Sequence, residues 1–402
     1  MKIVDIRATA VTVPLRRPLR WSFGVEVSTT RTIVELITDE GLVGVGETRG
    51  GDEVVQALRL HRDLYVGLDP MEVGRLARRF GVFRMTSEQL ALVGAAKLAG
   101  AAVEMACWDL VGKALGKRCG DLWGGIGTER VEFAAYVFYR YESMTEIGRG
   151  DSPEDAADHA EELFETHGFR DIKFKNGVLP PEQEIASVRL MRERLGDRLR
   201  YMRIDPNAVW SVETSIRVLN AVNDYGLEFC EDPTWGIEGM SLVRERTPVP
   251  LATNMCCVAF EQIPLAVRQR AVDVILGDVH FWGGPSAVLQ LAKICETFNL
   301  GLSLHSDREL GISTAAVLHL AAAETMVSHS VDSHLPEQAD DIITTPFAFR
   351  DGRLDVPSGP GLGVEIDQDK LRFYAAHHAK VGEGSEFADA AQTGFRAKFP
   401  RF

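Results

Sequence analysis

Hydrophobic and polar positions alternate in two different ways along this chain, and the change comes about a third of the way along it. From Lys2 to Val13 they alternate singly, and the runs Thr32–Ile37 and Leu42–Glu47 flank a turn at Asp39–Gly41. Single alternation is typical of half-buried strands, so these residues predict a hairpin. Helical periodicity then runs from about Val54 to Gly116. Strands followed by helices predict an α+β domain.

Farther along, short apolar runs alternate strictly with helical segments such as Pro153–His167, Val212–Tyr225 and Pro285–Phe298. Eight such strands with intervening helices predict a closed parallel barrel, with an open doubly wound sheet as the alternative. The predicted strands are Val131–Val137, Asp171–Lys175, Tyr201–Asp205, Leu227–Glu231, Pro250–Asn254, Asp273–Asp278, Leu300–His305 and Ser330–His334.

The predicted fold class is therefore α/β, a modified TIM barrel of the (β/α)₈ type with an N-terminal α+β capping domain. We expect residues 1–125 to form the capping domain and residues 126–356 to form the catalytic barrel. Residues 357–402 lose the alternation, and we expect this C-terminal segment to complete the capping domain by packing on it. A chain of 402 residues exceeds what a single compact core normally holds.

Polar residues of catalytic type stand at nearly regular intervals, each at the end of a predicted strand. The carboxyl ends of barrel strands meet at one face, which is where such barrels assemble active sites. The spacing therefore predicts an enzyme whose site contains Lys175, Asp205, Glu231, Asn254, Asp278 and His305.

Three of these residues, Asp205, Glu231 and Asn254, offer oxygen ligands from consecutive strands. Mg²⁺ prefers a few carboxylates together with water and substrate oxygens, so the set predicts a magnesium site. The alternative is that each residue caps the helix that follows it. Three oxygen ligands at the ends of consecutive strands favour a metal site over three separate helix caps.

Lys173 and Lys175 point the same way in their strand, because positions two apart share a face. A neighbouring cation and burial both lower the pKa of a lysine, so we expect Lys175 to act as a general base near neutral pH. Asp278 can orient His305 and raise its basicity, which predicts a second base across the barrel mouth. Asn207, two residues past Asp205, can donate to a substrate oxygen.

Composition excludes other classes of function. The net charge is −14, from 58 acidic and 44 basic residues, without the basic stripe that nucleic-acid binding needs. The longest apolar stretch is interrupted by Lys97, Glu104 and Asp109, so we expect a buried helix and no membrane span. Six cysteines lack metal-type spacing, which is typical of reduced thiols in a cytoplasmic protein. Barrel enzymes of this size often associate, so we expect a homo-oligomer.

Together these residues resemble the enolase superfamily, in particular the glucarate dehydratase branch of its mandelate racemase-like enzymes. The similarity covers most of the chain, and the order and spacing of its motifs are specific. The matching strings are GVGET (44–48), KFKNGV (173–178), RIDPNAVWS (203–211), EDP (231–233), ATNM (252–255), DVHFW (278–282), LHS (304–306) and PGLGVEID (360–367).

The resemblance implies Mg²⁺ on Asp205, Glu231 and Asn254, with Lys175 and the Asp278–His305 pair as opposed bases. It implies that Lys173 and Asn207 hold the substrate carboxylate and the enolate. It also implies substrate contacts from the capping loops 21–26 and 47–52 and from the barrel, at Trp21, Tyr136, His334 and Ser306.

The distal end of the site departs from that family. An Arg-Thr-Thr type stretch before the main capping helix is replaced here by the small residues 94–96. A C-terminal arginine of the family is also lost, and the candidates to substitute for it are Arg396 and Arg401. A shorter or monocarboxylic acid sugar is therefore an alternative to D-glucarate.

The leading hypothesis is an Mg²⁺-dependent acid-sugar dehydratase that acts on a small-molecule acid sugar and gives a 2-keto-3-deoxy sugar acid. The alternatives are a racemase or epimerase of a hydroxy acid on the same site, and a non-catalytic sugar-acid binding protein. A binding protein predicts the loss of a base or a ligand, and the sequence keeps every one of them.

Overall fold

The computed structural model describes residues 1–74, 90–143, 150–383 and 402. In chain order, its strands are β1 Ile3–Trp21, β2 Gly24–Thr38, β3 Val43–Arg49, β4 Arg130–Glu132, β5 Ala135–Val137, β6 Tyr139–Arg140, β7 Asp171–Lys175, β8 Tyr201–Asp205, β9 Leu227–Glu231, β10 Leu251–Thr253, β11 Val274–Gly277, β12 Gly301–Leu304 and β13 Arg353–Asp355. Its α-helices are α1 Asp52–Leu60, α2 Leu90–Leu115, α3 Cys119–Leu122, α4 Pro153–His167, α5 Pro181–Leu195, α6 Val212–Val222, α7 Gly236–Arg244, α8 Ile263–Gln269, α9 Pro285–Phe298, α10 Gly311–Ala323 and α11 Gln368–Val381.

The N-terminal residues form an antiparallel sheet of order β3-β2-β1-β6, against which helices α1 and α2 pack. Ile3, Val34 and Leu36 of the sheet share a buried apolar cluster with residues of α2. The C-terminal helix α11 packs on β1, where His378 Nδ1 lies 2.9 Å from Thr12 Oγ1. The domain boundaries near residues 125 and 356 stay a prediction.

The barrel is built on a parallel sheet of order β12-β11-β10-β9-β8-β7-β5, in which each of the strands β7–β12 is followed by a helix. The register brings the strand ends level. Lys175 is opposite Asp205, and Ala252 is opposite Glu231. The predicted fold class, a modified (β/α)₈ barrel with an antiparallel capping domain, is confirmed.

The prediction of a regular eighth strand at Ser330–His334 is wrong. Residues 327–331 fill this position through single bridges, in which Val327 pairs with Leu302 of β12 and Val331 pairs with Phe133. The guanidinium of Arg203 donates hydrogen bonds to the carbonyl oxygen and to the hydroxyl oxygen of Ser330, each at 2.6 Å. The segment therefore bonds to side chains where a strand would continue its ladder.

The predicted first strand, Val131–Val137, divides into two elements with different partners. β4 pairs antiparallel with β13, and β5 pairs parallel with β7 in the barrel. Between them, the amide of Ala134 donates to the carbonyl of Val331 at 2.9 Å. The chain changes partner here because the closing segment lies beside it.

A buried carboxylate joins the capping domain to the barrel. Glu47 of β3 accepts from the backbone amides of Leu310 and Ser313 at 2.8 and 2.9 Å. These amides belong to the first turn of α10, whose N–H groups lack partners within the helix. Arg31 donates to the same carboxylate at 2.7 Å, so the charge is paired.

Gly44 and Gly46 are needed for close packing between β3 and α2. A Cβ atom at Gly46 would collide with the backbone oxygen of Ala102, and one at Gly44 would collide with that of Ala106. The missing side chains therefore let the helix backbone lie directly on the strand.

All six cysteines are buried and unpaired. Among the described helices, none combines the length and apolar character that crossing a membrane requires.

We expect Gly46→Ala to lower the free energy of unfolding by about 3 kcal/mol, because the new methyl group must displace the helix backbone. Gly94→Ala in α2 is the control. A Cβ there meets no atom of the described residues within 4 Å, so we expect the removal of a helical glycine to stabilise by about 0.5–1 kcal/mol. Urea unfolding midpoints at equal m-values measure both effects. Equal midpoints for the two variants would contradict the packing argument.

Candidate active site

A cavity of about 500 Å³ lies at the carboxyl ends of the barrel strands, between the barrel and the capping domain. The predicted residues that line the cavity are Trp21, Tyr136, Lys175, Asn207, Asn254, His305, Ser306 and His334. The other four predicted site residues are buried and bonded to lining residues or to one another; they are Lys173, Asp205, Glu231 and Asp278. The structure therefore brings the whole predicted set together.

The three predicted metal ligands lie at the ends of neighbouring strands. Asp205 and Glu231 are the last residues of β8 and β9, and Asn254 directly follows β10. The two carboxylates are fully buried, and Asn254 is 9% exposed. Asp205 Oδ1 accepts from the amide of Asn207 at 2.9 Å, which fixes the orientation of this carboxylate.

Two oxygens of this set lack a hydrogen-bond donor. Within the described residues, Glu231 Oε1 and Asn254 Oδ1 are buried without a partner. Buried acceptors are normally satisfied, so unsatisfied oxygens at adjacent strand ends fit a bound cation. The described residues contain no cluster of three or more His, Cys, Asp or Glu suited to a metal. Oxygen ligands of this kind suit Mg²⁺.

Lys173 lies among the buried carboxylates. Its ammonium group donates to Glu231 and, at 3.0 Å, to Asp332, and it lies 3.5 Å from Asp205. Sequence reasoning missed Asp332. The signal was available, because Asp332 lies two residues from both Ser330 and His334 within a predicted strand and so shares their face.

The expected lowering of the Lys175 pKa is wrong for the metal-free protein. Burial is the largest single effect and acts in that direction, but the electrostatic interactions with Asp205, Tyr136 and Glu231 together outweigh it and raise the pKa above its ordinary value. The ammonium group donates to Asp205 Oδ2 at 2.6 Å and to the Tyr136 hydroxyl at 3.2 Å. The Asp205 carboxylate therefore affects the pKa of Lys175 more strongly than the neighbouring Lys173 ammonium does.

His305 and Asp278 form the predicted pair. His305 Nδ1 lies 2.9 Å from Asp278 Oδ2, and the other carboxylate oxygen accepts from the amides of His280 and Phe281 at 2.6 and 2.8 Å. Burial alone would lower the pKa of His305, but the hydrogen bond to Asp278 and its charge raise it. The imidazole is thus fixed in orientation and made more basic.

Lys175 and His305 approach the cavity from different sides of the barrel. With the closing segment 327–331 in the eighth position, β7 and β12 are separated by five strand positions in one direction and three in the other. A molecule in the cavity can therefore meet an ammonium group on one face and an imidazole on the other.

Tyr136, His334 and Ser306 make up one wall. The rings of Tyr136 and His334 lie 4.4 Å apart, and Ser306 Oγ lies 2.9 Å from His334 Nδ1 while donating to Glu309 at 2.6 Å. Burial lowers the pKa of His334 well below its ordinary value, and nearby Arg308 adds to this. The imidazole is therefore neutral.

Trp21 and Asn207 bring the capping domain to the barrel mouth. The Trp21 ring lies 5.9 Å from the Lys175 ammonium, and its indole nitrogen has no hydrogen-bond partner in the described part of the chain. Ser22 donates to Asn207 Oδ1 at 3.2 Å. Asn207 thus contacts both the metal-ligand strand and a capping loop.

Asp307 and Arg308, two charged residues at the cavity wall, were missed from the sequence, whereas the residues they pair with lie in the predicted capping loops 21–26 and 47–52. Asp307 lies 3.2 Å from Arg49, and Arg308 lies 2.8 Å from Glu26. Each pair joins residues more than 250 positions apart, which no local pattern indicates. Arg396 and Arg401, the candidate distal arginines, lie outside the described residues.

Comparison with known families accounts for most of the chain. Residues 155–370 match the family described as enolase C-terminal domain-like. Residues 3–124 match the N-terminal domain of the mandelate racemase / muconate lactonizing enzyme family.

Individual proteins agree with this. A probable glucarate dehydratase of Streptomyces coelicolor is 38% identical, with 86% of this chain and 84% of the relative covered. Chloromuconate cycloisomerase CbnB of Cupriavidus necator is 29% identical, with 93% and 99% covered. The crystal structure of an enolase from Thermobispora bispora, complexed with magnesium and formate, superposes with a TM-score of 0.92 at 38% identity over 100% of both chains. The chain therefore belongs to the enolase superfamily, as a mandelate racemase-like member of the glucarate dehydratase branch.

Proposed function

We propose that this protein is an Mg²⁺-dependent acid-sugar dehydratase. It removes the proton alpha to a carboxylate and eliminates the β-hydroxyl, giving a 2-keto-3-deoxy sugar acid. The observation that carries the proposal is the pair of basic groups, Lys175 and the His305–Asp278 pair, on different sides of a cavity with unsatisfied ligand oxygens. The probable glucarate dehydratase among its relatives supports the same chemistry.

Asp205, Glu231 and Asn254 would hold Mg²⁺, and relatives of known structure contain this ion. When bound, it supplies positive charge to a substrate carboxylate oxygen and so makes the α-proton more acidic. Lys173 adds a fixed positive charge beside the same carboxylates. Asn207 can offer its amide group to the substrate from the barrel side.

The residues of the chain then divide the proton transfers between them. Deprotonated Lys175 or neutral His305 accepts the α-proton as the C–H bond breaks. The protonated group on the other side of the cavity donates a proton to the β-hydroxyl, which leaves as water as the C–O bond breaks. The resulting enol tautomerises to the 2-keto acid. General acid–base groups of this kind contribute about 10²–10⁴-fold each.

An epimerase of hydroxy acids is the second candidate, because two bases on different sides of the α-carbon also serve proton removal and return. The two reactions differ in product. Dehydration gives a 2-keto acid, whereas epimerisation in D₂O places deuterium on an otherwise intact hydroxy acid.

We expect Lys175→Met and His305→Asn each to lower the rate of 2-keto acid formation by at least about 100-fold, because each removes a proton-transfer group. Semicarbazone absorbance with a panel of acid sugars and Mg²⁺ measures this. Lys117→Met, at an exposed lysine of the capping domain, and His377→Asn are the matched controls. Wild-type rates in both site variants would contradict the assignment. Deuterium incorporation without any keto acid would favour the epimerase.

We expect Asp278→Asn to move the acidic limb of the kcat/KM profile to lower pH. His305 accepts a proton only when neutral, so the rate falls as the pH drops through its pKa. The Asp278 carboxylate raises that pKa, and burial, which lowers it, remains in the variant. The plateau rate should also fall by at least about 10-fold, because the imidazole is less basic. A limb that stays in place, or moves to higher pH, would exclude His305 as the titrating base.

We expect Glu231→Gln to weaken Mg²⁺ binding by at least about 10-fold, because it removes one of two carboxylate ligands. Calorimetric titration of the EDTA-treated protein with MgCl₂ gives the dissociation constant directly. Glu238→Gln, an exposed residue that follows the same strand, controls for the loss of charge. Equal affinities in the two variants would contradict a metal site at Glu231.

A further inference from the structure

Helix α2 contributes one face to the cavity. Gly94, Lys97 and Leu98 line it together, as residues three and four apart on a helix do. Among the described residues, a Cβ at Gly94 would meet no atom within 4 Å, so they leave space open beside Lys97. The missing side chain at Gly94 thus leaves room in the cavity beside Lys97.

Most charged groups that line the cavity already have an opposite charge. The cavity-lining charges that lie in ion pairs are Glu26 with Arg308 at 2.8 Å, Asp307 with Arg49 at 3.2 Å, and Lys175 with Asp205 at 2.6 Å. Each of these pairs is formed within the protein and needs no ligand to balance it.

Lys97 is different. Within the described residues it makes no hydrogen bond and no ion pair, although the side chain is partly buried. Burial lowers its pKa, and the charges of Glu261 and Asp278 offset this in part. Asp278 is already bonded to His305 and to two backbone amides. The ammonium group therefore lacks a dedicated counter-charge.

Apolar side chains line part of the cavity that Lys97 lines. Leu98 is its neighbour on α2, and Val258 and Phe281 line the same cavity. Its Cε atom lies 3.9 Å from the position that a Cβ of Gly283 would take. A cation beside apolar groups and open space gains more from an anionic ligand than it would in water.

We propose that Lys97 binds a second anionic group of the substrate, at the end remote from the reacting carbon, and thereby selects dicarboxylic over monocarboxylic sugar acids. This assignment rests on the proposed function, because the first carboxylate is the one at the metal ligands. One ammonium is a compact point charge with three donors, which suits a single carboxylate. The open space left by Gly94 thus accommodates a longer diacid and argues against a shorter substrate.

The test compares matched substrates that differ only at the remote end, such as D-glucarate with D-gluconate and galactarate with galactonate. Wild type, Lys97→Met and Lys97→Arg are assayed with Mg²⁺ for kcat/KM, and the same ligands are titrated by calorimetry. Lys117→Met removes an exposed lysine of the same domain as a control. Thermal melting confirms that the variants are folded.

We expect wild type to prefer the diacid, and Lys97→Met to reduce this preference by about 10- to 100-fold, mainly through KM. Lys97→Arg should restore most of it, and Lys117→Met should leave it unchanged. A wild-type protein without a diacid preference in any pair, or an equal loss on both members of a pair in Lys97→Met, overturns the proposal. A Lys97-dependent preference in calorimetry without keto acid formation supports it while contradicting the dehydratase.

Discussion

Two lysines and three carboxylates are buried together at the centre of the barrel, and their ion pairs constrain the strands that carry them. Lys173, Lys175, Asp205, Glu231 and Asp332 are each at most 6% exposed. Removing one partner of such a group leaves an uncompensated buried charge, which costs about 3–5 kcal/mol. The strands that carry these residues must therefore end level, as the pairing of Lys175 with Asp205 shows.

The same constraint explains the irregular eighth position of the barrel. The Asp332 carboxylate lies 3.0 Å from the Lys173 ammonium and 3.3 Å from the Arg203 guanidinium. Arg203 also donates hydrogen bonds to the carbonyl oxygen and the hydroxyl oxygen of Ser330. A regular strand would bond these backbone groups to its neighbours. The chain instead closes the ring through single bridges at Val327 and Val331.

The positions of the site residues at the strand ends were predictable from the sequence, because the βα unit repeats. Asp205 and Glu231 end their strands, and Asp278 and His305 each follow one directly, because every βα unit has nearly the same length. Contacts between distant segments were not predictable. The Glu26–Arg308 pair and the position of Lys97 in the cavity depend on how the capping domain meets the barrel, which leaves no periodic signal. The pKa of Lys175 was predicted in the wrong direction because its partner lies on the adjacent strand, 30 residues away.

The packing of α11 against β1 has a consequence for biosynthesis. The sheet β1–β3 is made first, and the helix that covers β1 is made after the entire barrel. At about 5–20 residues per second, the sheet waits on the order of tens of seconds for this helix. One face of β1 stays uncovered during that interval. Helix α10 is synthesised after Glu47, whose carboxylate accepts hydrogen bonds from backbone amides at the start of that helix. The capping domain, whose strands are synthesised before the barrel, is thus completed only after the barrel has been synthesised.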